Sequence, residues 1–225
     1  MTTLKPSLKY YNRFQPFISN PLWRLYIRWA YHTSLSDLGK LSHQSPFQTN
    51  KPSVLLCGVG SLVTAEEFIR FTLNQNSEAK IIIVDLRPQQ IKQIKRLALQ
   101  KFPKTNVKAQ KLNALHLLKI IPLQSLDWIE TDALFEFLSP SELKRLIHIW
   151  HQLLKPTGFA TTRIIVSNPL TDWLLLKFAT RWLHTNFYRH QTQSLENLFL
   201  QTGFFFVSDP TPIPYLKRYT LTPKP

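Results

Sequence analysis

The sequence has a single cysteine, Cys57. One thiol can neither close an intrachain disulfide nor build a cysteine zinc cage, so both frameworks are excluded. Glycine is also scarce, with five in 225 residues against 16 prolines. Acidic side chains number 13 against 28 Lys and Arg, which leaves a formal charge of +15. That excess predicts attraction to RNA, DNA, anionic lipid or acidic small molecules, without choosing among them. No apolar run reaches the length of about 18 residues that a membrane-spanning helix needs. Lys5, Lys9, Arg13 and Pro16 interrupt any signal-peptide core at the N-terminus. A cytoplasmic protein is therefore expected. What is abundant is apolar surface, 44% of residues, with 12% aromatic. At this length that composition fits one sizeable core.

The chain divides at about residue 50. Residues 1–50 read as an aromatic, basic lid and linker, with a helix beginning near Asn20 and Pro21 at its first position. Residues 51–225 read as one α/β domain. Apolar runs at 53–57, 80–84, 107–112, 126–130 and 159–166 predict strands. Segments 64–74, 88–102 and 141–154 carry helical spacing. Strands alternating with helices imply right-handed crossovers and a parallel sheet covered on both faces. Two further runs, 204–207 and 215–221, are separated by a proline-rich stretch too stiff for a crossover helix. They are expected to pair antiparallel. The predicted fold is thus a seven-stranded, mostly parallel Rossmann-like sheet with helices on both faces, a final antiparallel strand and an N-terminal helical segment.

In such sheets ligands bind beyond the carboxyl ends of the strands. The first strand runs into Gly58-Val59-Gly60 just before a helix. Bare glycines there let the backbone turn sharply and approach a ligand closely. The second strand ends in Asp85, where a carboxylate can accept hydrogen bonds from both ribose hydroxyls of a nucleoside. Loop and acid in this order predict a nucleoside-bearing ligand.

Residues 54–62, Val-Leu-Leu-Cys-Gly-Val-Gly-Ser-Leu, resemble the first motif of the class I S-adenosylmethionine-dependent methyltransferases. Ile83-Val84-Asp85-Leu86-Arg87-Pro88 resembles their ribose-binding motif. Asn113-Ala114-Leu115 is similar to the pair that contacts adenine. Residues 126–132 resemble the fourth strand, and Leu153-Leu154-Lys155-Pro156-Thr157-Gly158 is similar to the turn before the fifth. Gly203-Phe204 resembles the element that opens the sixth. The resemblance implies a methyltransferase with S-adenosyl-L-methionine as cofactor. It implies that Gly58, Val59 and Gly60 line the methionine end and that Asp85 holds the ribose. Leu86 would pack on the adenine, Asn113 would face its amino group and Ala114 its ring. Thr131 and Asp132 would border the sulfonium and the acceptor, with Asp132 the candidate base. Two positions depart from the family: Leu56 replaces its usual acid, and Leu62 stands where a third glycine is usual, adding bulk beside the ligand.

Tyr10 and Tyr11, in the aromatic leader, are the candidate substrate-pocket residues, and residues 171–190 are a second candidate wall. No metal is expected, because His148 and His151 have no third ligand in sequence. Methyl transfer to a small-molecule acceptor is the expected activity. The alternative is a catalytically weak or inactive methyltransferase-like protein that binds RNA or another polyanion. Lys92, Lys95, Arg96, Lys101, Lys104, Lys108 and Lys111 would supply its phosphate contacts. A nicotinamide-binding oxidoreductase fits the glycine loop and Asp85, but not the Lys155–Gly158 turn.

Overall fold

The computed structural model describes residues 20–41, 45–132, 134–166, 188–213 and 216–224. In chain order these form α1 (Pro21–Lys40), β1 (Ser53–Cys57), α2 (Leu62–Gln75), β2 (Lys80–Asp85), α3 (Pro88–Lys101) and β3 (Asn106–Lys111). Then follow β4 (Leu126–Asp132), α4 (Pro140–Leu153), β5 (Leu154–Ile165), α5 (Thr192–Gln201), β6 (Phe204–Pro210) and β7 (Leu216–Pro223). The strands make one sheet in the order β3-β2-β1-β4-β5-β7-β6. β1 to β5 pair parallel, and β7 runs antiparallel to both β5 and β6. Strand order reverses between β1 and β4, and in open α/β sheets the ligand crevice is expected above the carboxyl ends of the strands at such a point.

Local chemistry sets the helix starts. Pro21 and Pro88 occupy first-turn positions, where a missing N–H costs nothing. The Asn20 side chain accepts from Leu22 N–H at 2.9 Å. Ser139 and Glu142 form a reciprocal capping box on α4. Alternation along the strands sends side chains to two cores. Leu55, Cys57, Ile129, Ala160, Tyr219 and Leu221 face α4 and α5. Val54, Leu56, Ile81, Ile83, Trp128 and Phe159 face α1, α2 and α3.

On that second face Trp128 is ringed by aromatics. Phe68 lies 4.7 Å away between ring centroids, Tyr31 5.4 Å and Phe159 5.5 Å. Such pairs contribute about 0.5–1.5 kcal/mol each beyond their buried area. Tyr31 comes from α1, so this helix is built into the core. Asp37, also on α1, pairs with Arg218 of β7, and both side chains are 1% exposed.

The Lys155–Gly158 turn lies at the opposite end of the sheet from the crevice. A Cβ on Gly158 would stand 2.8 Å from the Leu126 carbonyl oxygen, so only glycine lets β5 approach β4 here. Lys155 Nζ donates to both oxygens of buried Asp127, at 2.9 and 2.8 Å. Asp127 in turn accepts from Ser53 N–H at 2.8 Å, tying β1, β4 and β5 together.

Candidate functional site

The glycine loop and the acid of β2 meet directly. Val59 N–H donates to Asp85 Oδ2 at 2.9 Å. Gly58 N–H extends the β1–β2 ladder to the Val84 carbonyl at 2.9 Å. Gly58 has φ +78°, a left-handed conformation strained for any residue with a side chain. Gly60 is demanded by contact instead, since a Cβ there would lie 2.8 Å from Asp132 Oδ2. Ser61 then caps α2, its hydroxyl accepting from Thr64 N–H at 3.1 Å.

Arg87 closes over this junction. Its backbone N–H donates to Asp85 Oδ1 at 2.7 Å and its Nε to the same oxygen at 3.1 Å. The guanidinium also donates to the Val59 carbonyl, bridging β2 to the loop. Asp85 is 7% exposed and the Arg87 side chain 17%. Leu134 covers the other bare position, with Cδ1 3.3 Å from where a Gly58 Cβ would be.

Beside Gly60 sits a buried charge cluster. Asp132 accepts from the Thr64 hydroxyl at 2.8 Å and from Arg163 at 3.4 Å. Arg163 donates to Glu130 at 2.6 Å, and Thr161 links Glu130 to the Trp128 indole. Burial pushes the Glu130 carboxyl up to about 7, while Arg163 and Thr161 pull against it. Burial also opposes the charge on Arg163, but Glu130 and Asp132 outweigh it and raise its pKa. Two carboxyls facing one guanidinium leave a negative excess wherever both are ionised. Glu136 adds a third buried carboxyl nearby. It accepts from Ile165 N–H at 2.8 Å, and burial raises it to about 7, with Asp132 adding to the shift.

The remaining expected site residues are placed as follows. Leu86 is 45% exposed at the rim. Asn113 caps a short 3-10 turn, its Oδ1 accepting from Leu115 N–H at 2.9 Å, and Ala114 lies against the α4-side core. Thr131 is fully buried, and its hydroxyl donates to the Cys57 carbonyl at 2.6 Å, bracing β4 to β1. Tyr10, Tyr11 and residues 171–187 lie outside the described residues.

One expectation is corrected. Leu62 does not add bulk beside the loop: it is the first residue of α2, and its side chain packs into the core under α1–α3. The bulk there comes from Leu134 and Arg87. Leu56 is fully buried in that same core. In register with it on β4 stands Glu130, so a carboxylate is present one strand over from the position where the family carries its acid.

His148 hydrogen-bonds the Lys144 carbonyl of its own helix, and His151 packs on Phe204. The lysines and Arg96 of α3 and β3 are exposed at the far edge of the sheet, where charge also blunts strand-to-strand association. Sequence reasoning missed the Glu130–Arg163 pair, Glu136 and the part played by the Arg87 side chain. Glu130 and Arg163 did leave a signal, as charged residues inside otherwise strand-like runs.

No protein-family model matches the chain, and no curated protein does. Solved structures do match. The magnesium protoporphyrin IX methyltransferase of Synechocystis PCC 6803, solved with bound SAH, aligns over 95% of this chain and 94% of its own. Its TM-score is 0.65 at 11% identity. An O-methyltransferase family protein from Burkholderia thailandensis aligns over 95% of this chain, TM-score 0.64 at 14% identity. This chain spans only 59% of that protein. The PH0226 protein from Pyrococcus horikoshii OT3 aligns over 86% and 91%, TM-score 0.62 at 16% identity.

The chain has the class I methyltransferase fold. Within that methyltransferase fold, the Val59–Asp85 junction and the Glu130–Asp132–Arg163 cluster lie at the carboxyl ends of β1, β2, β4 and β5, at the fold's ligand-binding edge. Among the described residues, no helix is long and apolar enough to cross a membrane.

Proposed function

We propose that the protein binds S-adenosylmethionine in this crevice and transfers its methyl group to a small-molecule acceptor. The observation that carries the reading is the Val59–Asp85 hydrogen bond of 2.9 Å, which brings the bare loop and the carboxylate to one point. The site's residues fit the cofactor. Glycines at 58 and 60 make the sharp turn that sets the loop's backbone beside Asp85, with Leu134 and Asp132 packed on their Cβ sides, and Asp85 can take a ribose diol once Arg87 yields. Leu86 offers an exposed apolar surface to adenine.

When bound, the cofactor supplies an electrophilic methyl group on a sulfonium. The chain's part is alignment and electrostatics, since an in-line displacement needs orientation more than a dedicated reactive side chain. With both carboxyls ionised, Glu130, Asp132 and Arg163 offer a negative excess beside Gly60, which favours a cationic ammonium or sulfonium group there. Asp132, at the end of β4, is the proposed acceptor of a proton where the nucleophile must lose one. Burial keeps the site's fixed charges effective by excluding water.

A small acceptor is favoured over a polyanion by the placement of charge. The basic residues of α3 and β3 stand at the sheet edge, where β2 and β1 separate β3 from the β4 end at which Asp132 lies. A phosphate backbone bound along them would not be led to the reactive end.

Calorimetric titration with S-adenosylhomocysteine tests the reading. Wild type should bind, and Asp85→Asn should bind about tenfold more weakly, because a hydrogen bond to a charged group contributes about 1.5–3 kcal/mol. Failure of the wild type to bind at millimolar ligand, with RNA alone raising the melting temperature, refutes it.

A further inference from the structure

We propose that Arg87 is a latch on the ribose site, competing with the nucleoside for Asp85. This rests on the cofactor reading above.

Asp85 has four donors around it besides any ligand. Val59 N–H reaches Oδ2, while the Arg87 backbone N–H and Nε both reach Oδ1. A second guanidinium nitrogen stands 3.5 Å from Oδ2 while bonded to the Val59 carbonyl. The two backbone donors are fixed by the turn into α3 and by the loop. The Arg87 side chain alone can rotate away.

A ribose diol needs acceptor positions on both carboxylate oxygens. The backbone donors leave room for that, but the guanidinium does not. It lies across the gap between the end of β2 and the loop, where the diol must enter. Binding therefore requires the guanidinium to swing out, and its 17% exposure gives it a route to water. The swing breaks its bonds to both Asp85 and the Val59 carbonyl, while the backbone bonds of Gly58 and Val59 keep the loop on β2. The latch lowers affinity, and braces the Val59 carbonyl until the right ligand displaces it.

Removing the side chain leaves the Arg87 backbone N–H in place, so Asp85 keeps both backbone donors and its orientation. The test uses adenosine as probe, because it is uncharged and carries the diol. Calorimetric titrations compare wild type, Arg87→Ala, Arg87→Met and Arg96→Ala. Arg87→Met keeps the aliphatic stem, which covers the case in which the alanine variant folds poorly. Arg96→Ala removes one exposed charge from α3 without touching Asp85.

Both Arg87 variants should bind adenosine about tenfold more tightly than wild type, with Arg96→Ala unchanged. That factor is the lower end of a charge-assisted hydrogen bond to a partly hydrated partner. Equal or weaker binding by both Arg87 variants overturns the latch. If wild type binds S-adenosylhomocysteine in that case, the cofactor reading stands and only the latch falls. If no protein binds adenosine or S-adenosylhomocysteine at millimolar concentration, both fall together.

Discussion

Glu136 should make the protein less stable as the solution becomes more alkaline, and Glu136→Gln should abolish that part of the loss. The carboxyl is 2% exposed, and among the described residues its Oε2 meets no hydrogen-bond donor. Burial, the largest influence, raises its pKa from 4.5 to about 7 against the pull of the Ile165 N–H. A carboxyl whose pKa is higher in the folded state holds its proton more tightly there. It has no effect on stability below pH 4.5, where both states are protonated. As pH rises from 4.5 to 7 the unfolded chain ionises first, and stability falls; above 7 the loss is complete. A difference of 2.5 units corresponds to roughly 3 kcal/mol at about 1.4 kcal/mol per unit. Glutamine is close in shape, cannot ionise, and keeps a carbonyl oxygen for Ile165 N–H. Urea unfolding at pH 4.5 and pH 8.5 measures the effect. The variant should match wild type at the lower pH and exceed it by roughly 3 kcal/mol at the higher. Glu130, also raised to about 7, is present in both proteins and cancels from the difference. A difference that stays flat between the two pH values would refute the reasoning, because Glu136 would then ionise equally in folded and unfolded chains.

Two further perturbations probe the frame of the site. Gly58→Ala forces a side chain into φ +78° and against Leu134, and should cost about 1–2 kcal/mol in urea unfolding; an unchanged midpoint would show that the loop relaxes freely. Arg218→Met leaves Asp37 buried with Lys40 and the Thr220 hydroxyl beside it, and should cost about 3 kcal/mol in thermal unfolding, partly recovered by adding Asp37→Asn.

The sheet was legible because its strands announce themselves. Ser53–Cys57 and Lys80–Asp85 are apolar runs closed by Gly58 and by Asp85 itself, and the β6–β7 pairing followed from the prolines between them. Boundaries were less so. β5 begins at Leu154 rather than at Phe159, because the Lys155–Gly158 turn itself lies along β4, an arrangement visible only once Asp127 and Leu126 are seen beside it. α2 begins at Leu62 because Ser61 caps it, which puts the half-buried leucine in the helix, against the core, rather than in the loop.

At the site, the convergence of loop and acid could be read from order and spacing. The charges that fill it could not. Glu130 and Arg163 are 33 positions apart and meet only because β4 and β5 are in register, with Glu130 level with Thr161 and Asp132 level with Arg163. Arg87 was visible as part of a motif, but whether its side chain turns outward or back onto the neighbouring carboxylate is a conformational choice that no spacing encodes.

The pairing of Asp37 with Arg218 has a consequence for synthesis. The two are 181 positions apart, near opposite ends of the chain. At roughly 5–20 residues per second a ribosome takes roughly 10–35 s to cover that distance. During that interval the first described helix exists without its arginine, although Phe68 and Trp128, on which Tyr31 packs, are made earlier. The clasp between this helix and the sheet therefore closes only when β7 emerges.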